Sequence, residues 1–150
     1  MKTLSFHRTS TPDVTGYPDL VIINEEAGQE IGRYSCSTNP NPFRPTDHAK
    51  WQDAYGQVAA PLKTSFCCIM SPKHGKCLAI NDCKPVPTSN ADVNDNNQHV
   101  ASEVEVHCGS DVSWRGSAAC FTIFPPLWDD FIAKFAMNEK GILILGNDNG

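Results

Sequence analysis

The chain has 150 residues, 40% of them hydrophobic and 19% charged, with a formal net charge of −5. That is enough apolar material for one core and too little for two, so we read residues 1–150 as a single domain. The acidic balance offers no basic cluster to neutralise phosphates, which excludes nucleic acid as the main partner, and the absence of a long apolar run excludes a membrane-spanning helix.

In chain order, Thr3 to Arg8 alternates Leu4 and Phe6 against Ser5 and His7, the pattern of a half-buried strand. A loop punctuated by Pro12, Gly16 and Pro18 leads to the β-branched run Leu20 to Ile23, suited to a central strand. A turn over Asn24 to Gly28 returns the chain through Glu30 to Ser35. Ser37 to Asp47 is rich in proline and reads as a loop, and His48 to Tyr55 as a short helix with Trp51 and Tyr55 on one face.

Thr64 to Met70 and Cys77 to Ile80 read as strands joined by a hairpin over Ser71 to Lys76. His74 falls in that turn beside glycine. It is expected to be solvated, and it is a second candidate base after His107. Asn81 to Gln98 is Asn-, Asp-, Ser- and Pro-rich and is expected to be a loop that could fold over a site as a lid. Its acidic residues lack the glycine and terminal glutamate of an EF-hand loop.

Glu103 to His107 alternates again, so Val104 and Val106 face a core while Glu105 and His107 share the other face. Beyond Cys120, Leu127, Trp128, Phe131, Ile132 and Phe135 mark one face of a helix from about Pro126 to Met137, with proline suited to its first turn. Gly141 to Leu145 is a final apolar strand. About seven strands and one helix predict a mainly β fold, a curved mixed sheet or open β-barrel covered on one side by the helix.

Seven cysteines are many for this length. Six of them could supply up to three disulfides and leave Cys120 free for chemistry, depending on the compartment. No C-x-x-C pair occurs and no spacing matches a zinc site, so neither a metal nor another cofactor is expected.

The stretch that carries chemistry is His107 to Cys120. Strand-end His107 is followed by a loop with Gly109 and Gly116, and small residues (Ser117, Ala118, Ala119) immediately precede Cys120. A thiol becomes a nucleophile when an imidazole takes its proton, and a tight loop of small residues can offer backbone N–H groups to an oxyanion. The alternative for the same pair is a strand-end histidine and a buried cysteine acting as a small hydrophobe.

His107, Gly109 and Ser117-x-x-Cys120 resemble the signature of the L,D-transpeptidase (YkuD-like) catalytic domain, in a compact form similar to that of phage-associated and secreted wall-targeting enzymes. The chain departs from the pattern in its shorter loop and in Ala118-Ala119, where the family has His-Gly. The resemblance implies a barrel-like β domain of L,D-transpeptidase type. It also implies that Cys120 is the nucleophile, His107 the base and the Cys108 carbonyl the group that orients the imidazole.

Peptidoglycan stem peptides would be the substrate, cleaved by L,D-carboxypeptidase or exchanged by L,D-transpeptidase chemistry through a thioacyl intermediate. Arg115 is the candidate for a substrate carboxylate, Trp114 for a wall of the site, and Gly116, Ser117 and Ala119 for backbone contacts to substrate. The first residues, Met1 to Asp13, do not form an ordinary signal peptide. A protein made in the cytoplasm and acting in the periplasm or cell wall would need specialised export or phage release. A phage lytic protein or an injected antibacterial toxin fits, the latter with an immunity protein as partner. The competing reading is a non-enzymatic phage or secretion-apparatus β domain that binds wall or a partner protein.

Overall fold

The computed structural model describes residues 1–9, 17–40, 50, 53–109 and 119–148. Among the described residues are ten strands: β1 (Thr3–Thr9), β2 (Asp19–Asn24), β3 (Glu30–Ser37), β4 (Leu62–Ser71), β5 (Gly75–Ile80), β6 (Val86–Asp92), β7 (Gln98–Ala101), β8 (Glu105–Cys108), β9 (Phe121–Ile123) and β10 (Lys140–Asp148). Eight of them close a barrel in the order β1-β10-β4-β5-β8-β9-β3-β2, and β6 pairs with β7 in a separate hairpin. The fold is mainly β with one short helix, as the alternating strands predict, and the barrel is closed. Among the described residues no helix is long and apolar enough to cross a membrane.

Closure comes from the two ends of the described chain. β1 runs parallel to β10, with Leu4 opposite Leu143 and Phe6 opposite Leu145, and β10 continues antiparallel to β4. The second parallel pair is β8 with β9, Val106 lying opposite Phe121. Period-two alternation sends Leu4, Phe6, Val21, Ile23, Leu78, Val106, Phe121 and Leu143 inward, all of them buried. Phe6 and Phe121 meet edge to face across the interior, with ring centroids 4.9 Å apart.

The inward faces of β1 and β2 also deliver a charged pair, Arg8 and Asp19, both almost fully buried. The Arg8 guanidinium donates to Thr38 Oγ1 at 2.8 Å, to the Thr38 carbonyl at 2.9 Å and to the Val58 carbonyl at 2.6 Å. Asp19 accepts from the Thr9 and Thr38 N–H groups and from the Thr38 hydroxyl, at 2.9, 2.8 and 2.7 Å. Thr38 thus joins the two charges, and burial lowers the Arg8 pKa to about 10 against the opposing pull of Asp19.

Three sequence expectations change. The helix predicted over 126–137 is shorter: a 3-10 turn, Pro125–Leu127, leads into α1 (Trp128–Ile132), and irregular turns follow. It keeps the predicted apolar face, with Phe131 against Tyr34 and Phe135 against Phe66. The Asn81 to Gln98 stretch is a 3-10 turn, β6, a second 3-10 turn and the start of β7, with its polar side chains bonded to backbone. Asp92 accepts from the Asn94 and Gly56 N–H groups, both at 2.8 Å, and Asp95 from the Ser102 N–H and hydroxyl at 2.9 and 2.6 Å. His74, expected in solvent, is largely covered, as described below. All seven cysteines are free thiols, and Cys67 and Cys68 lie side by side in β4. The helix expected around Trp51 falls largely outside the described residues.

Candidate active site

β8 and β9 set the site. Val104 and Val106 are buried in the core, so Glu105 and His107 project from the outer face of the barrel. The parallel register puts His107 opposite Thr122. Cys120, one residue before β9, lies beside Glu105, whose backbone N–H donates to its Sγ at 3.3 Å. The predicted nucleophile and base therefore share one face of two neighbouring strands, two residues out of step.

His107 is 6% exposed. Its Nδ1 lies 2.8 Å from the Cys108 carbonyl oxygen. A carbonyl only accepts, so Nδ1 carries the proton and Nε2 is the acceptor of the neutral ring. This is the contact that the resemblance implied for Cys108. Gly109 follows, and a Cβ there would collide with the Tyr17 hydroxyl, so glycine lets Tyr17 pack against the backbone just after β8.

The β4–β5 turn reaches over the same face. Its ends are fixed by the Ser71 hydroxyl, which accepts from the N–H groups of Lys73 and His74 at 3.2 Å each. β5 pairs with β8 at Leu78 opposite Val106. This brings the His74 ring flat onto the His107 ring, with centroids 3.8 Å apart and planes 5° from parallel. His74 Nε2 stands 3.8 Å from a carboxylate oxygen of Glu105.

Cys120 and Ala119 open into a cleft of about 680 Å³ whose other walls include Lys73, His74, Cys83, Glu103 and Glu105. Cys83 ends a run of three residues with left-handed backbone, Asn81 to Cys83, and its carbonyl accepts from the Glu103 N–H at 2.9 Å. The β6–β7 hairpin supplies a further wall through Asp92, Asn94 and Asp95. The lid expected from the polar stretch is thus a fixed wall of the cleft.

Burial dominates the electrostatics. It raises the Cys120 thiol to about 11, with the Glu105 backbone N–H and the Lys73 charge pulling the other way. It lowers His107 to about 4, helped by the neighbouring His74 and by Lys73, with the Cys108 contact opposing. His74 is also lowered by burial, against the attraction of Glu105. Thiol and both imidazoles are therefore neutral at pH 7.

Of the residues singled out from sequence, Cys120, His107, Cys108 and Ala119 come together here. Trp114, Arg115, Gly116 and Ser117 lie outside the described residues. Sequence reasoning did not find Lys73, Cys83 or Glu105 as parts of the site, and treated His74 as a reserve. A signal existed for Glu105, which shares a strand face with His107 two positions away. Among the described residues no group of three or more His, Cys, Asp or Glu side chains is arranged to hold a metal ion. No protein-family model, curated protein or solved structure matches the chain.

Proposed function

We propose that this protein is a cysteine-dependent acyl-transfer enzyme acting on peptidoglycan stem peptides, as an L,D-carboxypeptidase, an L,D-transpeptidase or both. What carries the reading is a single arrangement: Cys120 and His74 line one cleft, and the His74 ring stacks on His107, whose tautomer is set by the Cys108 carbonyl. In the proposed reaction Cys120 Sγ bonds to the substrate carbonyl carbon as its proton passes to an imidazole. The C–N bond then breaks, and the leaving amine departs with that proton. The thioester passes its acyl group to water or to an acceptor amine. Because thiol and imidazole are both neutral before substrate arrives, proton transfer accompanies attack rather than preceding it. Lys73 supplies a cation for a substrate carboxylate within the cleft, a role that Arg115 could share.

The test is mass spectrometry of tetrapeptide and pentapeptide stem fragments incubated with wild type and Cys120→Ala. Loss of terminal D-alanine, or its exchange for an added D-amino acid, in wild type alone supports the reading. Unchanged fragments with both proteins under reducing conditions would reject it. A second reading, a non-enzymatic barrel that binds wall or a partner protein, is favoured by the Cys120 thiol at about 11, far from a preformed thiolate. In that case an unreactive thiol and retained binding to wall fragments are expected.

A further inference from the structure

The two stacked histidines are not equivalent, and their surroundings separate their roles. His107 is the more deeply enclosed ring, with one nitrogen committed to the Cys108 carbonyl at 2.8 Å and one face covered by His74. His74 lines the cleft into which Cys120 opens. Its Nε2 stands 3.8 Å from a Glu105 carboxylate oxygen, and the Glu105 backbone N–H donates to the Cys120 sulfur, so one residue neighbours both the imidazole and the thiol. We propose that His74, oriented by Glu105, is the catalytic acid–base partner of Cys120, and that His107 is a positioning residue, a buried plate that fixes the plane of the His74 ring.

The assignment rests on the acyl-transfer reading for its substrate, and its chemistry has a His74 nitrogen reach Cys120 Sγ across the cleft that both residues line. A neutral His74 accepts the Cys120 proton as sulfur attacks, and the nearby Glu105 carboxylate stabilises the imidazolium that forms. His74 then returns the same proton to the leaving amine. Two imidazoles in face contact cannot both be charged without strong repulsion, so His107 must stay neutral during the step. Its commitment to the Cys108 carbonyl and its burial hold it so. The charged and titratable groups facing His74 are Glu105 from β8, Lys73 from its own turn and His107 beneath it.

The experiment uses aromatic substitutions, which keep the stack and remove the base. His107→Phe and His74→Phe are compared with wild type, together with His74→Gln as a second probe of a partly exposed position. Turnover of tetrapeptide stems is one readout. The other is the rate of iodoacetamide alkylation at the Cys120 peptide, followed by mass spectrometry from pH 5 to 9, a range spanning the ordinary histidine value.

We expect kcat to fall by about 100-fold in both His74 variants and by less than about 10-fold in His107→Phe. Alkylation at pH 7 should slow by about 10-fold in the His74 variants and lose its histidine-dependent pH inflection, while His107→Phe keeps both. The opposite pattern, with alkylation and its inflection lost in His107→Phe and kept in the His74 variants, overturns the assignment. If no stem peptide is turned over by wild type but alkylation still depends on His74, the substrate reading fails and the assignment of the base stands.

Discussion

Burial holds His107 at about 4 against an ordinary value of 6.5, and this couples the site to stability. The folded state binds the proton less readily than the unfolded chain does. The His107 contribution is therefore fully present above pH 6.5 and is lost as pH falls from there through 4, by about 3 kcal/mol in total. Chemical denaturation of wild type at pH 7 and pH 4 should show the loss, and His107→Phe should reduce it.

The thiols carry the opposite sign. Burial raises Cys77 to about 12 and Cys120 to about 11, from 9.0 in each case, so their contributions are complete below pH 9 and fade as pH rises through the folded values. Replacing either cysteine by alanine should flatten the alkaline limb of the stability curve in denaturant titrations at pH 8 and pH 10.5. At this scale the sequence was informative about type and less so about place. Cys120, His107 and the Cys108 carbonyl follow from one short motif. The stacking of His74 on His107 depends on the β5–β8 register, which brings together residues 33 positions apart and leaves no local trace.

Among the elements, the β6–β7 hairpin departs furthest from the sequence expectation. Asn, Asp, Ser and Pro signal a loop because their side chains compete for backbone hydrogen bonds, and here that competition builds the element. Asp92 is 2% exposed and accepts two backbone N–H groups, one from its own turn and one from Gly56, so it pins the cleft wall to the segment before β4. Asp92→Ala should cost about 1–3 kcal/mol, because both donors lose their partner. Hydrogen exchange should rise over 86–101 before it rises in the barrel strands. Strands such as β1 and β2 were legible for the converse reason: their alternation reports the one-sided burial that the barrel imposes on them. The helix was overread because an apolar spacing continues to Phe135 although helical backbone ends at Ile132. Phe135 reaches the same core from a turn.

At the level of the whole molecule, the interior is held by long-range contacts such as Phe6 with Phe121. Phe6→Ala should cost about 3–5 kcal/mol in equilibrium unfolding, because neighbouring strands are tied by a closed ladder and cannot collapse into the cavity. Closure itself was not legible, since strand patterns tell which residues face inward and not which strands become neighbours.

The parallel seam between β1 and β10 also bears on how the chain is made. During synthesis β1 leaves the ribosome well before its partner across the seam, residues 140–148. Until then β1 and β4 each present a bare strand edge. The barrel therefore forms after translation of β10 rather than alongside the earlier strands. Those waiting edges are where a chaperone would hold the nascent chain and where neighbouring unfinished chains would pair.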